Sequence, residues 1–223
     1  MLSEDMAEAA EQEYPVMDKV YEDQEVVRVS GKKVEFDTVK FVRCRLEECN
    51  LNGASFCNVI FDKCDFSNCS FRDSYWKNVT VTDSKGDGSQ FCNSTFKWVK
   101  LLDSQFHYGN FSNAFWEFGE IRGCNFRESF LSEVKLKKTV FSSTDLTGTD
   151  FFRTPLKGLD LSECVIDGIM VSDRYTELAG LKVSLLQAAE LARLMGVKIC
   201  ILYTSEEIPC AIAGHPSNIH FQR

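Results

Sequence analysis

The sequence predicts an all-β fold, a right-handed quadrilateral parallel β-helix of about seven coils with a capping helix at its C-terminal end. Three observations predict it. A large apolar residue recurs at every fifth position from residue 36 to residue 171, a small residue lies two positions before each of them, and a helix-start signal follows the last repeat. Because such repeats bury a core only by stacking on their neighbours, the array indicates one solenoid domain.

The five-residue period is carried by large side chains whose register never slips. Of 28 positions, 27 are large and apolar, and only Gly86 departs from the pattern. The series begins with Phe36, Phe41, Leu46, Leu51, Phe56 and Phe61 and ends with Leu156, Leu161, Ile166 and Val171. The small series begins with Val34, Val39, Cys44, Cys49 and Ala54, and none of its members is charged.

This period fits neither a helix, which repeats every 3.6 residues, nor a flat strand, which repeats every two. It fits a chain that turns a corner every five residues and directs one large and one small side chain inward from each side. Four sides close a coil of about 20 residues, and coils stacked ~4.8 Å apart form a rod ~34 Å long.

The cysteines are explained by this inward pattern. Six of the ten occupy the small inner position, where a thiol acts as a compact apolar group. They are Cys44, Cys49, Cys64, Cys69, Cys124 and Cys164. Stacked pairs would be ~4.8 Å apart, beyond the ~3.8 Å between Cβ atoms that a disulfide favours. Core packing is the main interpretation, and a zinc site built from four thiolates is the alternative.

The pattern resembles the pentapeptide-repeat family, in which a small residue, an Asp or Asn and a Leu or Phe open each repeat. The motifs that carry the resemblance are Cys49-Asn50-Leu51, Cys64-Asp65-Phe66, Cys124-Asn125-Phe126, Thr144-Asp145-Leu146 and Thr149-Asp150-Phe151. The resemblance implies the β-helical fold across the whole array, from Val34 to Asp173, and specifies function far less.

A helix is expected at about residues 185–195. Ser184 and Gln187 form a capping box, and Gly196 is suited to the residue after the helix. About two-thirds of its perimeter is apolar, more than capping the last coil requires. Either residues 200–223 fold back over the surplus or two copies of the chain associate through it. The expected dimer interface comprises Leu185, Leu186, Ala189, Ala192, Leu194 and Met195.

The segment around this helix resembles one branch of the family. Residues 180–183, 187–188 and 194–199 are similar to the tail of the Qnr and mycobacterial MfpA-type pentapeptide-repeat proteins. That resemblance implies a tail-to-tail homodimer, mimicry of B-form DNA, binding to DNA gyrase or topoisomerase IV, and a lessening of quinolone action. The present chain departs from the pattern by continuing from Cys200 to Arg223.

The N-terminal segment carries the charge of the chain. Residues 1–25 hold nine acidic residues and one lysine, whereas residues 26–223 hold 24 of each sign. We expect residues 1–30 to be an acidic segment, either a mobile tail or short helix, or a cap on the first coil through Tyr14, Val16, Met17 and Tyr21. The β-helix is expected at 31–175, the cap or dimerisation helix at 176–199 and a tail at 200–223.

Gly86 marks a weak point in the array. Residues 82–90 have the composition of a loop, and we expect a bulge there, with a functional loop as the alternative. The segment replaces a repeat and adds no residues, whereas the loops of Qnr proteins are insertions.

A patch on one side of the predicted solenoid is the leading candidate for partner binding. Stacking places Tyr75, Trp98, Phe115 and Phe118 outward on the side centred on Trp76, and exposed aromatic clusters indicate a partner or a covering segment. The acidic N-terminus is one candidate cover. Anionic candidates for DNA mimicry are Glu47, Asp65, Asp83 and Asp87.

Other function classes lack support in the sequence. The three histidines, His107, His215 and His220, stand apart from any nucleophile or ligand spacing, and there is no glycine-rich phosphate loop. We expect no enzyme activity, cofactor, metal, membrane span or direct nucleic-acid binding. We expect a cytoplasmic location. The leading functional hypothesis is a DNA mimic that binds a type II topoisomerase. The alternative is a scaffold that binds another protein through the aromatic side.

Overall fold

The chain forms the right-handed quadrilateral β-helix that the repeat predicts, followed by a C-terminal helix. A computed structural model describes residues 1–200. Two of the four sides are parallel sheets of seven strands, one strand from each of seven successive coils. The other two sides are held mostly by single parallel bridges between successive coils. The all-β class and the C-terminal helix are therefore confirmed.

The strands are short because the chain turns after each five residues. The helices are α1 (Leu2–Gln12) and α2 (Leu185–Leu194), and a 3-10 helix spans Thr176–Leu178. The strands are β1 (Val16–Met17), β2 (Val20–Glu22), β3 (Glu25–Val27), β4 (Glu35–Asp37), β5 (Lys40–Val42), β6 (Arg45–Glu47), β7 (Ser55–Cys57), β8 (Ile60–Asp62), β9 (Tyr75–Lys77), β10 (Thr80–Thr82), β11 (Thr95–Lys97), β12 (Lys100–Leu102), β13 (Phe115–Glu117), β14 (Glu120–Arg122), β15 (Lys135–Lys137) and β16 (Val140–Ser142).

Four faces of the solenoid are named by their strands. Face A is the sheet β1-β4-β7-β9-β11-β13-β15, and face B is the sheet β2-β5-β8-β10-β12-β14-β16. Face C starts with the pair β3-β6 and continues through bridges such as Asp65↔Lys85. Face D is the remaining side, joined by bridges such as Asn50↔Ser70.

The predicted register of four repeats per coil holds through the body of the solenoid. Phe36 pairs with Phe56 and Phe56 with Trp76, so equivalent positions stack directly. Inside, the aromatic rings form columns, with Phe36 and Phe56 at 5.3 Å and Phe96 and Trp116 at 4.1 Å between ring centroids. These stacked rings are the continuous core that a single coil could not bury by itself.

The small inward residues close the corners of each coil. Cys49 and Cys69 are buried, and their thiols donate weak hydrogen bonds to the carbonyls of Val26 and Leu46 at 3.4 and 3.3 Å. Ser89 makes the equivalent bond with its hydroxyl, to the carbonyl of Phe66 at 2.6 Å. These thiols therefore serve as small core groups that also satisfy a backbone acceptor.

The first coil begins earlier than the sequence pattern indicates. Strands β1, β2 and β3 pair in register with β4, β5 and β6, so the solenoid starts at Val16. The expected boundary between residues 30 and 31 is therefore wrong. The pattern was obscured because Lys19 stands at a position where small inward residues are expected and Gly31 at a position where large ones are.

Helix α1 covers the open end of this first coil. Leu2, Met6 and Ala9 are buried against the solenoid. Of the four residues that we expected in a cap, Val16 and Tyr21 are buried in the first coil, whereas Tyr14 and Met17 are exposed. The short helix and the capping role are both observed, but the residues that perform the capping differ. An end closed in this way does not offer its strand edges to other chains.

The Gly86 segment is a regular coil, and the expected bulge is absent. The Gly86 N–H donates to the Gln105 carbonyl at 2.8 Å, and Lys85 bridges to both neighbouring coils. A Cβ at residue 86 would lie 2.6 Å from Cε2 of Phe66 and 2.9 Å from Cε1 of Phe106. The two phenylalanine rings therefore occupy the space that a side chain at residue 86 would need.

The C-terminal end leaves the strict repeat at the 3-10 helix. Asp160 bridges to Lys182, whereas the regular register would pair it with Gly180, because the 3-10 turn inserts additional chain. Helix α2 then starts at the predicted Ser184 capping box, in which the Ser184 N–H donates to Gln187 Oε1 at 2.7 Å. The Gln187 amide also donates to the carbonyls of Leu161 and Cys164 in the last coil. The hypothesis that residues 200–223 fold back concerns residues 201–223, which lie outside the described part.

Candidate interaction surface

Each five-residue side of the solenoid presents three outward positions, and the last of them lies at the corner. Corner residues adopt a left-handed backbone conformation, with φ near 50° to 60° in many non-glycine residues. Asn and Gly adopt this conformation at lower cost than bulky residues do. A large aromatic residue at such a corner therefore has a less favourable backbone conformation than Asn or Gly would have there.

Two such corners lie next to each other on face A. Trp98 and Phe118 have φ values of 52° and 56°, and their rings stack in parallel with centroids 5.4 Å apart. Their side chains remain 48% and 38% exposed. Tyr75 and Phe115 lie half-buried on the same face, with Thr95 between them in the strand register. The four aromatic residues singled out from the sequence therefore share one face.

Lysines surround this aromatic group. Strand register places Lys77 beside Lys97, Lys97 beside Glu117, and Glu117 beside Lys137. Lys137 Nζ contacts Glu117 Oε1 at 2.5 Å, and Lys138 Nζ lies 4.8 Å from the centroid of the Phe118 ring. The group is called the aromatic–lysine patch, comprising Tyr75, Lys77, Lys97, Trp98, Phe115, Phe118, Lys135 and Lys138.

An open groove extends the patch around the corner towards face D. Phe115 and Lys135 line it on one side, and Arg153 and Pro155 line it further along the chain. Arg153 Nη1 contacts Glu133 Oε1 at 3.1 Å. The surface around Phe115 is therefore concave, a shape that can receive a side chain of a partner.

The acidic candidates do not join the aromatic residues. Glu47, Asp65 and Asp87 lie on face C, and Asp83 lies at the outer corner of face B. Most of them are engaged within the chain. Glu47 contacts Arg45 at 2.9 Å, Asp65 accepts from the Ser67 N–H at 3.0 Å, and Asp87 accepts from the His107 N–H at 2.8 Å. Three of the four acids therefore have a local structural role as well as a charge.

Face C is nevertheless the most acidic side of the solenoid. From residue 25 to residue 168 its outward positions hold eight acidic and four basic residues. The basic residues alternate with the acids, as in the pair of Arg28 with Glu48 at 2.7 Å and that of Arg127 with Asp145 at 3.1 Å. The negative charge is therefore interrupted along the face.

The acidic N-terminus does not cover the aromatic–lysine patch. Helix α1 lies against the first coil, where Met6 reaches Gly31 and Asp5 accepts from Lys19 at 2.6 Å and from Tyr21 at 2.6 Å. The patch lies several coils further along the rod. The hypothesis of an N-terminal cover is therefore wrong.

Helix α2 packs on the last coil with only one of its sides. Leu191 is half-buried against the core, whereas Leu185 and Leu186 are 86% and 81% exposed. Ala189 and Ala192 are half-buried, and Leu194 and Met195 are exposed. The six residues expected at a dimer interface thus lie on a helix with no fully buried side chain among the described residues.

The Cys124 thiol is poorly suited to chemistry. Burial raises the pKa of Cys124 to about 11, so this thiol is protonated at neutral pH. Within residues 1–200, no group of three or more His, Cys, Asp and Glu side chains is placed to hold a metal ion. The helices of this range also lack the length and apolar character needed to cross a membrane.

Sequence reasoning did not find Glu177, the one buried acidic residue among the described residues. Its carboxylate accepts from the Arg153 N–H at 2.8 Å, the Ser172 N–H at 3.2 Å and the Ser172 hydroxyl at 2.8 Å. Its own carbonyl accepts from Leu156. Glu177 supplies hydrogen-bond acceptors where the repeat ends and the next coil is missing, and no periodic signal marks such a residue.

A comparison with protein-family models identifies the repeat. A family model described as pentapeptide repeats matches residues 40–75 and 121–153, in eight copies. No curated protein matches the chain.

Several solved structures are similar to the chain. One is a trypsin-treated form of QnrB1, described as a plasmid-mediated fluoroquinolone resistance protein, with 17% identity over 82% of this chain and 99% of that chain and a TM-score of 0.35. Another is HetL, a pentapeptide repeat protein involved in heterocyst differentiation regulation in the cyanobacterium Nostoc, with 9% identity over 79% and 92% and a TM-score of 0.22. A third is a pentapeptide repeat protein from the Arabidopsis thaliana thylakoid lumen. Its identity is 18% over 64% of this chain and 70% of that chain, with a TM-score of 0.23.

Proposed function

We propose that this chain, which carries eight matched pentapeptide repeats, is a non-catalytic scaffold that binds a protein partner through the aromatic–lysine patch. The observation that carries the proposal is the parallel stack of Trp98 on Phe118, exposed at two left-handed corners. Protein interfaces concentrate their binding energy in exposed aromatic residues of this kind.

The pairing of two aromatic corners strengthens this proposal. Face A uses asparagine at the same corner in the preceding coils, where Asn78 donates to Asn58 at 2.8 Å. Trp98 and Phe118 continue this row with side chains that are less suited to a left-handed backbone. Tyr108 has the same left-handed φ, so what distinguishes Trp98 and Phe118 is the exposed stack of their two rings.

Photo-crosslinking in the native host tests the scaffold function. A benzoylphenylalanine at position 118 should give one saturable adduct, whereas the same group at Tyr108, an exposed corner aromatic on face C, should not. The partner, once purified, should bind the wild type and lose affinity by about tenfold or more for Trp98→Asn and Phe118→Asn.

Asparagine is the replacement of choice because it suits the left-handed corner, so these variants should fold. Tyr108→Asn is the matched control and should bind normally. Equal adducts from both positions, or a partner that binds the Trp98 and Phe118 variants at full strength, would refute the scaffold proposal.

A second candidate function is binding to DNA gyrase or topoisomerase IV by mimicry of DNA, with a lessening of quinolone action. The observation that favours it is the excess of acids on face C of the solenoid. The interleaved cations weigh against it, because steering towards a DNA-binding surface calls for a continuous negative strip.

A gyrase supercoiling assay with and without ciprofloxacin tests this second candidate. Inhibition or protection that weakens on Asp65→Asn and Asp87→Asn would support it. Absence of both effects at micromolar protein would eliminate it, and the scaffold proposal would be unaffected.

We also propose that two copies of the chain associate through α2. Support comes from the near-complete exposure of Leu185 and Leu186 on a helix that packs with only one side. Burying a leucine side chain contributes roughly 1.5–3 kcal/mol, so leaving both in water is unfavourable.

A further inference from the structure

Two lysines of the aromatic–lysine patch face each other, and Glu117 lies on the other side of Lys97. Lys77 and Lys97 are directly opposed in register on β9 and β11. Among the paired strands of residues 1–200, this is the one register pair that joins like charges; the other charged pairs, such as Lys100 with Glu120, join opposite charges. Like charges placed directly across a sheet are destabilising.

The patch also lacks the acids that would neutralise it. Its face carries five lysines from residue 75 to residue 138 and one acid, Glu117. Glu117 is held by Lys137, and neighbouring lysines lower its pKa further, so its charge is already compensated. Lys77, Lys97, Lys135 and Lys138 have no acidic atom within 4.0 Å among the described residues.

This local excess of lysines over acids is unusual for the molecule. Residues 26–223 hold equal numbers of acidic and basic residues, so a cluster of lysines on one face is a matter of placement and not of composition. On face B, by comparison, Arg43 contacts both Glu22 and Asp23 of the preceding coil.

We propose that the aromatic–lysine patch binds an acidic segment of a partner protein, which lies in extended form across the coils. The inference rests on the proposed scaffold function and adds the chemistry of the partner. The lysine column meets the carboxylates, and Trp98, Phe118 and the groove beside Phe115 receive apolar side chains. In an extended segment, residues on one side recur every ~6.8 Å, so about five residues cover the three coils between Lys77 and Lys137.

A nucleic-acid strand fits the patch less well, although lysines beside aromatic residues suit both. Bases bind such surfaces by stacking on free ring faces. The Phe118 ring has Trp98 stacked against one face and the Lys138 ammonium over the ring as well. These contacts already occupy part of the ring area on which a base would stack.

Intrinsic fluorescence offers a direct test with the full chain. Trp98 is the only exposed tryptophan of three, because Trp76 and Trp116 are 2% and 1% exposed. The probe is an unlabelled peptide of about eight residues that alternates glutamate and leucine, which matches the extended spacing. It should shift Trp98 emission saturably, and the apparent Kd should rise with salt.

Charge-reversal variants locate the binding. Lys97→Glu combined with Lys135→Glu should raise the apparent Kd by about tenfold or more. Lys97→Gln with Lys135→Gln is a second variant that avoids placing a new acid opposite Glu117. Lys32→Glu with Lys33→Glu on face D is the matched control, and it should bind as the wild type does.

The outcomes separate this inference from the scaffold proposal. The acidic-segment inference is wrong if the peptide leaves Trp98 emission unchanged or if the face D control loses binding equally. It is also wrong if an oligothymidylate binds more tightly than the peptide. If the cross-linked partner requires Trp98 and Phe118 but not Lys97 and Lys135, the scaffold function stands and the acidic-segment inference fails.

Discussion

Two glycines interrupt the inward column of large residues, and a neighbour fills the space at each. At Gly31 a Cβ would lie 2.5 Å from Cε of Met6 in helix α1. At Gly86 the rings of Phe66 and Phe106, with centroids 6.2 Å apart, approach each other across the missing side chain. The repeat therefore tolerates a glycine where an adjacent side chain restores the packing density of the core.

Gly86→Ala should destabilise the protein even though alanine restores an apolar residue to the column. The added Cβ meets two packed rings, and overpacking of this kind typically costs about 1–3 kcal/mol. Urea denaturation should show the loss as a lower midpoint. Phe66→Leu in the same chain should recover part of it, because the smaller side chain makes room. An alanine variant as stable as the wild type would contradict the packing account.

At the scale of elements, the repeat itself was predictable and its ends were not. Periodicity reports residues that face a common core, so it located every inward position from Phe36 to Leu161. It missed the coil from Val16 because Lys19 points outward to Asp5 of α1, and only the folded cap explains a lysine there. It missed Glu177 because a single buried carboxylate has no period.

The patch illustrates the same limit on sequence reasoning. Stacking of every fourth repeat correctly brought Tyr75, Trp98, Phe115 and Phe118 onto one face. The same stacking also placed Lys77 and Lys97 on this side. It did not indicate the parallel ring stack of Trp98 on Phe118 or the approach of Lys138 to that ring, because these depend on side-chain geometry.

Glu177 should make the C-terminal end of the solenoid sensitive to acid. Burial acts to raise the pKa of this carboxyl, but hydrogen bonds from its own N–H, from Arg153 and from Ser172 lower it below the ordinary value of 4.5. A lowered folded pKa means that the stabilisation is fully present above pH 4.5 and is lost as pH falls through the folded value.

Glu177→Gln should therefore lower the unfolding free energy by about 1–3 kcal/mol at neutral pH and remove this acid dependence. Urea midpoints measured from neutral to acidic pH would show the two proteins converging as pH falls. Glu163→Gln, at an exposed glutamate of the last coil, is the control and should follow the wild type. A difference between the two urea midpoints that stays constant down to the lowest pH would contradict the role assigned to the ionised carboxylate.

At the scale of the whole molecule, the two ends of the rod differ in how they are closed. Helix α1 buries Leu2, Met6 and Ala9 on the first coil, whereas α2 leaves Leu185 and Leu186 in solvent. One end is thus a completed cap, and the other is a cap with an unused apolar side. With the aromatic–lysine patch on a lateral face, association through α2 would leave the patch open in both copies.

The exposed apolar side of α2 predicts a dimer. Light scattering of the full chain should give the mass of a dimer, and Leu186→Glu should shift it towards the monomer, since a charged group would have to be buried between the two copies. Val140→Glu is the control, because Val140 is 60% exposed on face B and a charge there should leave the dimer intact. A wild-type protein that is strictly monomeric would refute the dimer, and the apolar side of α2 would then require another cover.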